Sequence, residues 1–256
     1  MIRDNILRVV YPCAGAAIIL LAWHYYIIIF NVSPVVLPGP LEVGEAIIDY
    51  AGALLSESWV TFLECVSGFM LALAIGIPIA VVMTYSRLLN SMFYPLLVAS
   101  QSIPKVALAP ILLVWFGTGI ESKLAMVFVI AFFPIVVDSA TGLRTTSPEL
   151  LELARSLQSS RAQTFFKIQL PSALPFMFSG AKIAVTLSVI GAVIGEFIGA
   201  NEGLGNLLLV ANSQMNTSLA WAALVILSVL GMLLYGAVVL AERIFMPWGH
   251  DSDQKH

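Results

Sequence analysis

Apolar residues run in long blocks along this chain, separated by short polar connections or ones containing Gly and Pro. A block of about 20 such residues is long enough to cross a hydrocarbon layer as a helix. The blocks fall at 9–30, 60–85, 93–116, 124–141, 180–200 and 219–241, which predicts six membrane helices. The first is longer than a signal-peptide core and lacks a small-x-small pattern at its end, so it reads as a retained helix. It is closed by "NVSPVVLPGPLEV", where Pro34, Pro38, Gly39 and Pro40 break regular structure. An amphipathic segment is expected next, at 41–55.

Composition agrees with the pattern. Hydrophobic residues make up 59% of the chain and charged residues 11%, against roughly 25% charged in soluble domains. The expected fold class is all-α: one polytopic membrane domain over 1–256. A net charge of -3 without runs of like charge gives no sign of a nucleic-acid partner. Cys13 and Cys65 stand alone in apolar stretches and read as packing residues. Neither a metal-ligand cluster nor a nucleophilic triad occurs at suggestive spacing, and three histidines are few for a membrane enzyme.

Basic residues set the expected orientation, because cytoplasmic flanks carry the excess of Lys and Arg. With the N-terminus inside, Arg3, Arg8, Arg87, Arg144, Arg155, Arg161, Lys167, Lys182, Arg243 and Lys255 fall on the cytoplasmic side. Only Lys123 then flanks the outer face, and Lys105 lies within the third span. Both termini are therefore expected in the cytoplasm. The outer connections carry Glu42, Glu45, Asp49, Glu57, Glu121 and Glu202, read as solvated surface.

The densest charge lies in the cytoplasmic connection 142–175. Ser147, Pro148 and Glu149 form a helix start: a capping hydroxyl, a proline suited to the first turn, and an acid at the positive dipole end. Leu150, Leu153, Ala154 and Leu157 then recur as one apolar stripe, with Glu149, Glu152 and Arg155 mostly off it. A second helix is expected at 161–169, ended by Pro171. By periodicity alone the pair is either a docking platform or a hairpin packed on its own membrane domain.

"ELARSLQSSRAQTFFKIQLP" resembles the EAA loop of permease subunits of binding-protein-dependent ABC importers. Glu152, Ala154, Ile168, Leu170 and Pro171 match that pattern, while Leu153 replaces its middle alanine and Gln158 stands where its glycine lies. Without that glycine the turn is expected one residue later, at Ser159 and Ser160. "LPGPLEV", "SIPKVALAPILLVWFGTG", "FPIVVDSATGLR" and "GEFIGANEGLGNLLL" are similar to segments of the nitrate, sulfonate and taurine group.

The resemblance implies a type I importer permease fold in a bacterial inner membrane. It also implies a homodimer, an extracytoplasmic substrate-binding protein, and a separate ATPase subunit carrying ATP and Mg. This chain has no G-x-x-x-x-G-K-[ST] phosphate loop and is expected to hold no cofactor itself. Glu149, Glu152, Leu153, Ala154, Arg155, Leu157 and Gln158 would then form the ATPase contact.

Ionisable groups at membrane depth are functional candidates. Lys105, between Pro104 and Pro110, either lines a pathway or reaches toward the interface. Glu64 stands at a position where members of the similar nitrate and sulfonate branch have an arginine side chain, so the resemblance leans toward a thiamine-precursor pyrimidine or another heteroaromatic substrate, with a sulfonate- or nitrate-like anion as the other reading; otherwise Glu64 makes an interhelical hydrogen bond. Glu196 precedes a break at Gly199, Gly203 and Gly205, which reads as a gate or as close dimer packing. His24 and Asp138 read as interface residues. The alternative function is an ion-coupled transporter using Glu64, Glu196 or Lys105, without an ATPase.

Overall fold

A computed structural model describes residues 2–199 and 201–247, with side chains from Val10 onward. Five long helices dominate: α1 (Ile2–Phe30), α3 (Ala51–Tyr85), α6 (Ile120–Arg144), α9 (Leu170–Gly199) and α11 (Thr217–Phe245). The third expected span is a broken passage. Helix α4 (Arg87–Ser100) meets a 3-10 turn at Lys105–Leu108 and then α5 (Ala109–Phe116), with a bend of 94°. Pro104 and Pro110 supply no backbone N–H, so a continuous helix cannot run through both. The 3-10 turn is closed by the Ala107 N–H on the Pro104 carbonyl, 2.9 Å. Short helices α2 (Pro40–Asp49), α7 (Pro148–Ser156), α8 (Arg161–Thr164) and α10 (Leu204–Ser213) fill the connections.

Three boundaries differ from the sequence reading. The amphipathic segment divides at Tyr50 into α2 and the start of α3, since nothing between Ala51 and Val60 breaks a helix. Nor does Pro171 end the second loop helix. From α8 the chain passes through a π turn at Phe165–Gln169 into α9, with the Leu170 N–H donating to the Phe165 carbonyl. The widened turn lets the helix continue past a residue that has no donor. The fifth span consequently begins well before Gly180, and Ala200 lies outside the described residues.

Helices α3, α6 and α9 form the centre of the bundle. Small residues let α6 and α9 approach closely: a Cβ on Gly191 would sit 2.9 Å from Val127 Cα, and one on Gly142 2.9 Å from the Ala173 carbonyl. Ala72, Ala131, Ala184 and Ala192 are fully buried between these helices and their neighbours. Lipid offers no hydrophobic drive for helices to associate, so this close van der Waals fit is what holds them. By contrast α1 is barely buried, its Trp23 ring meeting Trp221 of α11 at 5.1 Å. The bundle has two distinct ends. One carries the connection 145–169 and is called the loop end; the other carries the break 199–204, the glycine end.

Candidate functional site

At the glycine end, α3 presents Glu57, Thr61 and Glu64 at i, i+4 and i+7, a single helical face turned toward α6 and α9. Helix α6 brings Lys123 to it and α9 brings Glu196. Lys123 Nζ lies 2.8 Å from Glu64 Oε1. Thr61 Oγ1 donates to Glu196 Oε1 at 2.6 Å and accepts from the Leu204 N–H at 2.9 Å. The Gly205 N–H donates to Glu196 Oε2 at 2.5 Å, and the Gly203 N–H donates to Glu57 Oε2. Glu64 and Glu196 are 0% and 1% exposed.

Why this geometry arises follows from α10. Its first N–H groups have no partner within the helix, and its positive dipole end favours an anion. The Glu196 carboxylate and the Thr61 hydroxyl fill that role. Glycine is required beside them: Gly203 has φ +105, and a Cβ there would collide with the Glu196 carboxylate. A Cβ on Gly205 would stand 2.6 Å from Glu196 Oε2. The glycine break is thus folded around one acidic side chain and tied back to α3. Glu64 Oε2 finds no hydrogen-bond partner among the described residues.

Of the candidate pathway residues, the structure gathers Glu64, Glu196, Gly203 and Gly205 in this cluster. Gly199 lies apart, its missing Cβ making room for Leu113 of α5 at 2.5 Å. Lys105 is also separate, at the α4–α5 break. Its Nζ donates to the Gln101 carbonyl at 3.3 Å, lies 5.2 Å from the Phe133 ring centroid, and borders a cavity of about 360 Å³.

Sequence reasoning missed Thr61, Glu57 and Lys123. Lys123 is expected on the outer flank, yet it is buried. It sits in the first turn of α6 and packs on Gly195, whose missing side chain admits it; a Cβ there would be 3.2 Å from Lys123 Cα. The polar spacing of Glu57, Thr61 and Glu64 within an apolar helix was the available signal. Lys182, likewise counted as a flank, is partly buried and pairs with Glu242 of α11 at 2.6 Å.

At the loop end, α7 has the expected cap, the Leu150 N–H donating to Ser147 Oγ at 3.3 Å. It stops in a Schellman motif. The Gln158 N–H donates to the Arg155 carbonyl at 2.9 Å and the Ser159 N–H to the Ala154 carbonyl at 3.0 Å. Gln158 itself takes the left-handed conformation, φ +53, so the turn stays at that residue and does not move to Ser159. A capping box of Ser160 and Gln163 then starts α8. The predicted stripe divides: Ala154 is 3% exposed, whereas Leu153 and Leu157 are 55% and 70% exposed. Glu149, Glu152, Arg155 and Gln158 are exposed with them.

Residues 72–245 match the family described as the binding-protein-dependent transport system inner membrane component. The chain belongs to that family. It is the permease subunit of an ABC importer, a transport component and a multi-pass protein of the inner membrane. A formylaminopyrimidine transport permease of Halalkalibacterium halodurans is 38% identical over 84% of this permease and 87% of its own length. A probable ABC transporter permease of Haemophilus influenzae is 35% identical over 91% and 95%. Among solved structures, an inward-facing form of the MetNI methionine ABC transporter superposes with a TM-score of 0.66 at 25% identity, covering 77% of this permease and 97% of the matched chain. Its type I importer fold is the fold expected here.

Proposed function

We propose that the permease forms the membrane pathway of an ATP-driven importer that receives a small solute from an extracytoplasmic binding protein. It docks a separate ATPase through α7. The observation that carries this reading is the exposed Leu153 and Leu157 on a short helix fixed at both ends, by the Ser147 cap and the Gln158 turn. Large apolar side chains held rigidly in the open, among exposed charges, are the anatomy of an interface awaiting its partner. ATP and Mg belong to that partner. The loop end is then cytoplasmic, both termini lie on that side, and the glycine end faces outward. Two copies of the chain would pair to meet two ATPases.

The solute is a small heteroaromatic compound of the thiamine-precursor pyrimidine kind. The formylaminopyrimidine permease relative supports this. Gentle affinity extraction from native membranes followed by mass spectrometry tests the assembly: an ATPase subunit in comparable amount is expected. A chain recovered alone after cross-linking contradicts it. Uptake of labelled formylaminopyrimidine by cells with and without the permease tests the solute.

A further inference from the structure

Three cavities open along one face of α9. The cavity beside Lys105, about 360 Å³, shares Ile183 and Leu187 with one of about 390 Å³, which shares Thr186 and Tyr235 with a third of about 470 Å³. Ile190 borders the first and the third. Together they form one trough, walled by the α4–α5 break and α6 on one side and by α11 on the other.

Polar groups punctuate this trough. Gln101 and Lys105 lie on one wall, Ser179 and Thr186 on α9, and Ser228 and Tyr235 on α11. The cavity on the other side of α9, between α3 and α11 and about 450 Å³, is lined by apolar residues alone, from Phe62 and Met70 to Leu234. The two faces of α9 thus differ: one groove is wholly apolar and the trough carries polar side chains among apolar ones. The apolar one matches acyl chains, and the other matches a hydrated solute.

The Thr186 and Ser228 hydroxyls donate to their own helices, to the Lys182 carbonyl at 3.0 Å and the Leu224 carbonyl at 2.9 Å. Their acceptor lone pairs stay open to the trough. Lys182, which also lines the middle cavity, is committed to Glu242. Lys105 has no acidic partner among the described residues and lies against the Phe133 ring.

We infer that this trough is the solute path, with Lys105, Thr186 and Tyr235 as its contact residues, and that the buried Glu64 and Glu196 do not touch the solute. The inference rests on the importer reading. One uncommitted cation, open hydroxyl acceptors and aromatic rings suit a small flat solute that is neutral or carries one negative charge. The trough lacks a wall on one side, so the path is complete only when a second copy covers it.

The test uses single cysteines at Thr186→Cys, Ser228→Cys and Met70→Cys, placed in a chain with Cys13→Ser and Cys65→Ala and labelled in native membranes. The reagent is a methanethiosulfonate bearing a trimethylammonium group. Hydrocarbon disfavours a charged group strongly enough that labelling at Thr186 and Ser228 should exceed that at Met70 by about a hundredfold. Silence at both trough positions, or equal labelling at Met70, overturns the inference. Recovery of an ATPase with the tagged chain is scored on the same membranes, so failure of the importer reading registers separately from failure of the trough.

Discussion

The two ends of this permease hold charge in opposite ways. At the glycine end, Glu64, Lys123, Thr61 and Glu196 are buried and engage one another and the backbone of the α9–α10 break. At the loop end, Glu149, Glu152 and Arg155 stand exposed beside exposed leucines. A chain with so little charge puts it where it either fastens the fold or waits for another molecule. Burial therefore separates a clamp from a contact among residues of the same types.

The comparison breaks first if Lys123 is removed. Lys123→Met strands Glu64 in the bundle, and losing one partner of a buried pair costs about 3 to 5 kcal/mol. Thermal unfolding in detergent should show this, with partial recovery when Glu64→Gln is added; a loss under about 1 kcal/mol would remove the buried pair from the account. Glu196→Ala is next. It leaves the Gly205 N–H without its acceptor, at about 1 to 3 kcal/mol for an unsatisfied buried group, while the Thr61 hydroxyl keeps the Glu57 carbonyl at 3.2 Å. Glu196→Gln should retain part of that stability, and an alanine variant as stable as the parent contradicts the clamp.

A smaller change, of opposite sign, is expected at the loop end. Gln158 holds a left-handed conformation, φ +53, that costs a side-chain-bearing residue about 1 to 2 kcal/mol, so Gln158→Gly should raise the melting temperature; an unchanged or lowered one contradicts the strain at this turn. Smallest in stability is Leu157→Asp, alone or with Glu152→Arg. An exposed substitution away from the core stays within about 0.5 kcal/mol. Its effect belongs to coupling: membrane levels hold while uptake is lost, and normal uptake at matched levels would sink the role of α7.

Much of this fold was legible in the sequence, because a hydrocarbon layer imposes length and apolarity on anything that crosses it. The six passages and the capped start of α7 follow from those rules and from Ser147–Pro148–Glu149. What was not legible depends on partners distant along the chain. Lys123 reads as a flank until Gly195 and Glu64 come to meet it. Pro171 reads as a stop until a π turn absorbs its missing N–H. Gln158 reads as a poor turn residue until two backbone hydrogen bonds hold it there. The stripe on α7 was visible, but that Ala154 turns inward while Leu153 and Leu157 stay open required the packing.

The most direct test of the account is a photo-cross-linking side chain placed singly at Leu153, Leu157 and Met70, irradiated in native membranes and resolved by mass spectrometry. The account predicts adducts with an ATPase subunit at Leu153 and Leu157 and none at Met70. Absence of any ATPase adduct at both leucines, with the chain present at normal levels, would contradict it.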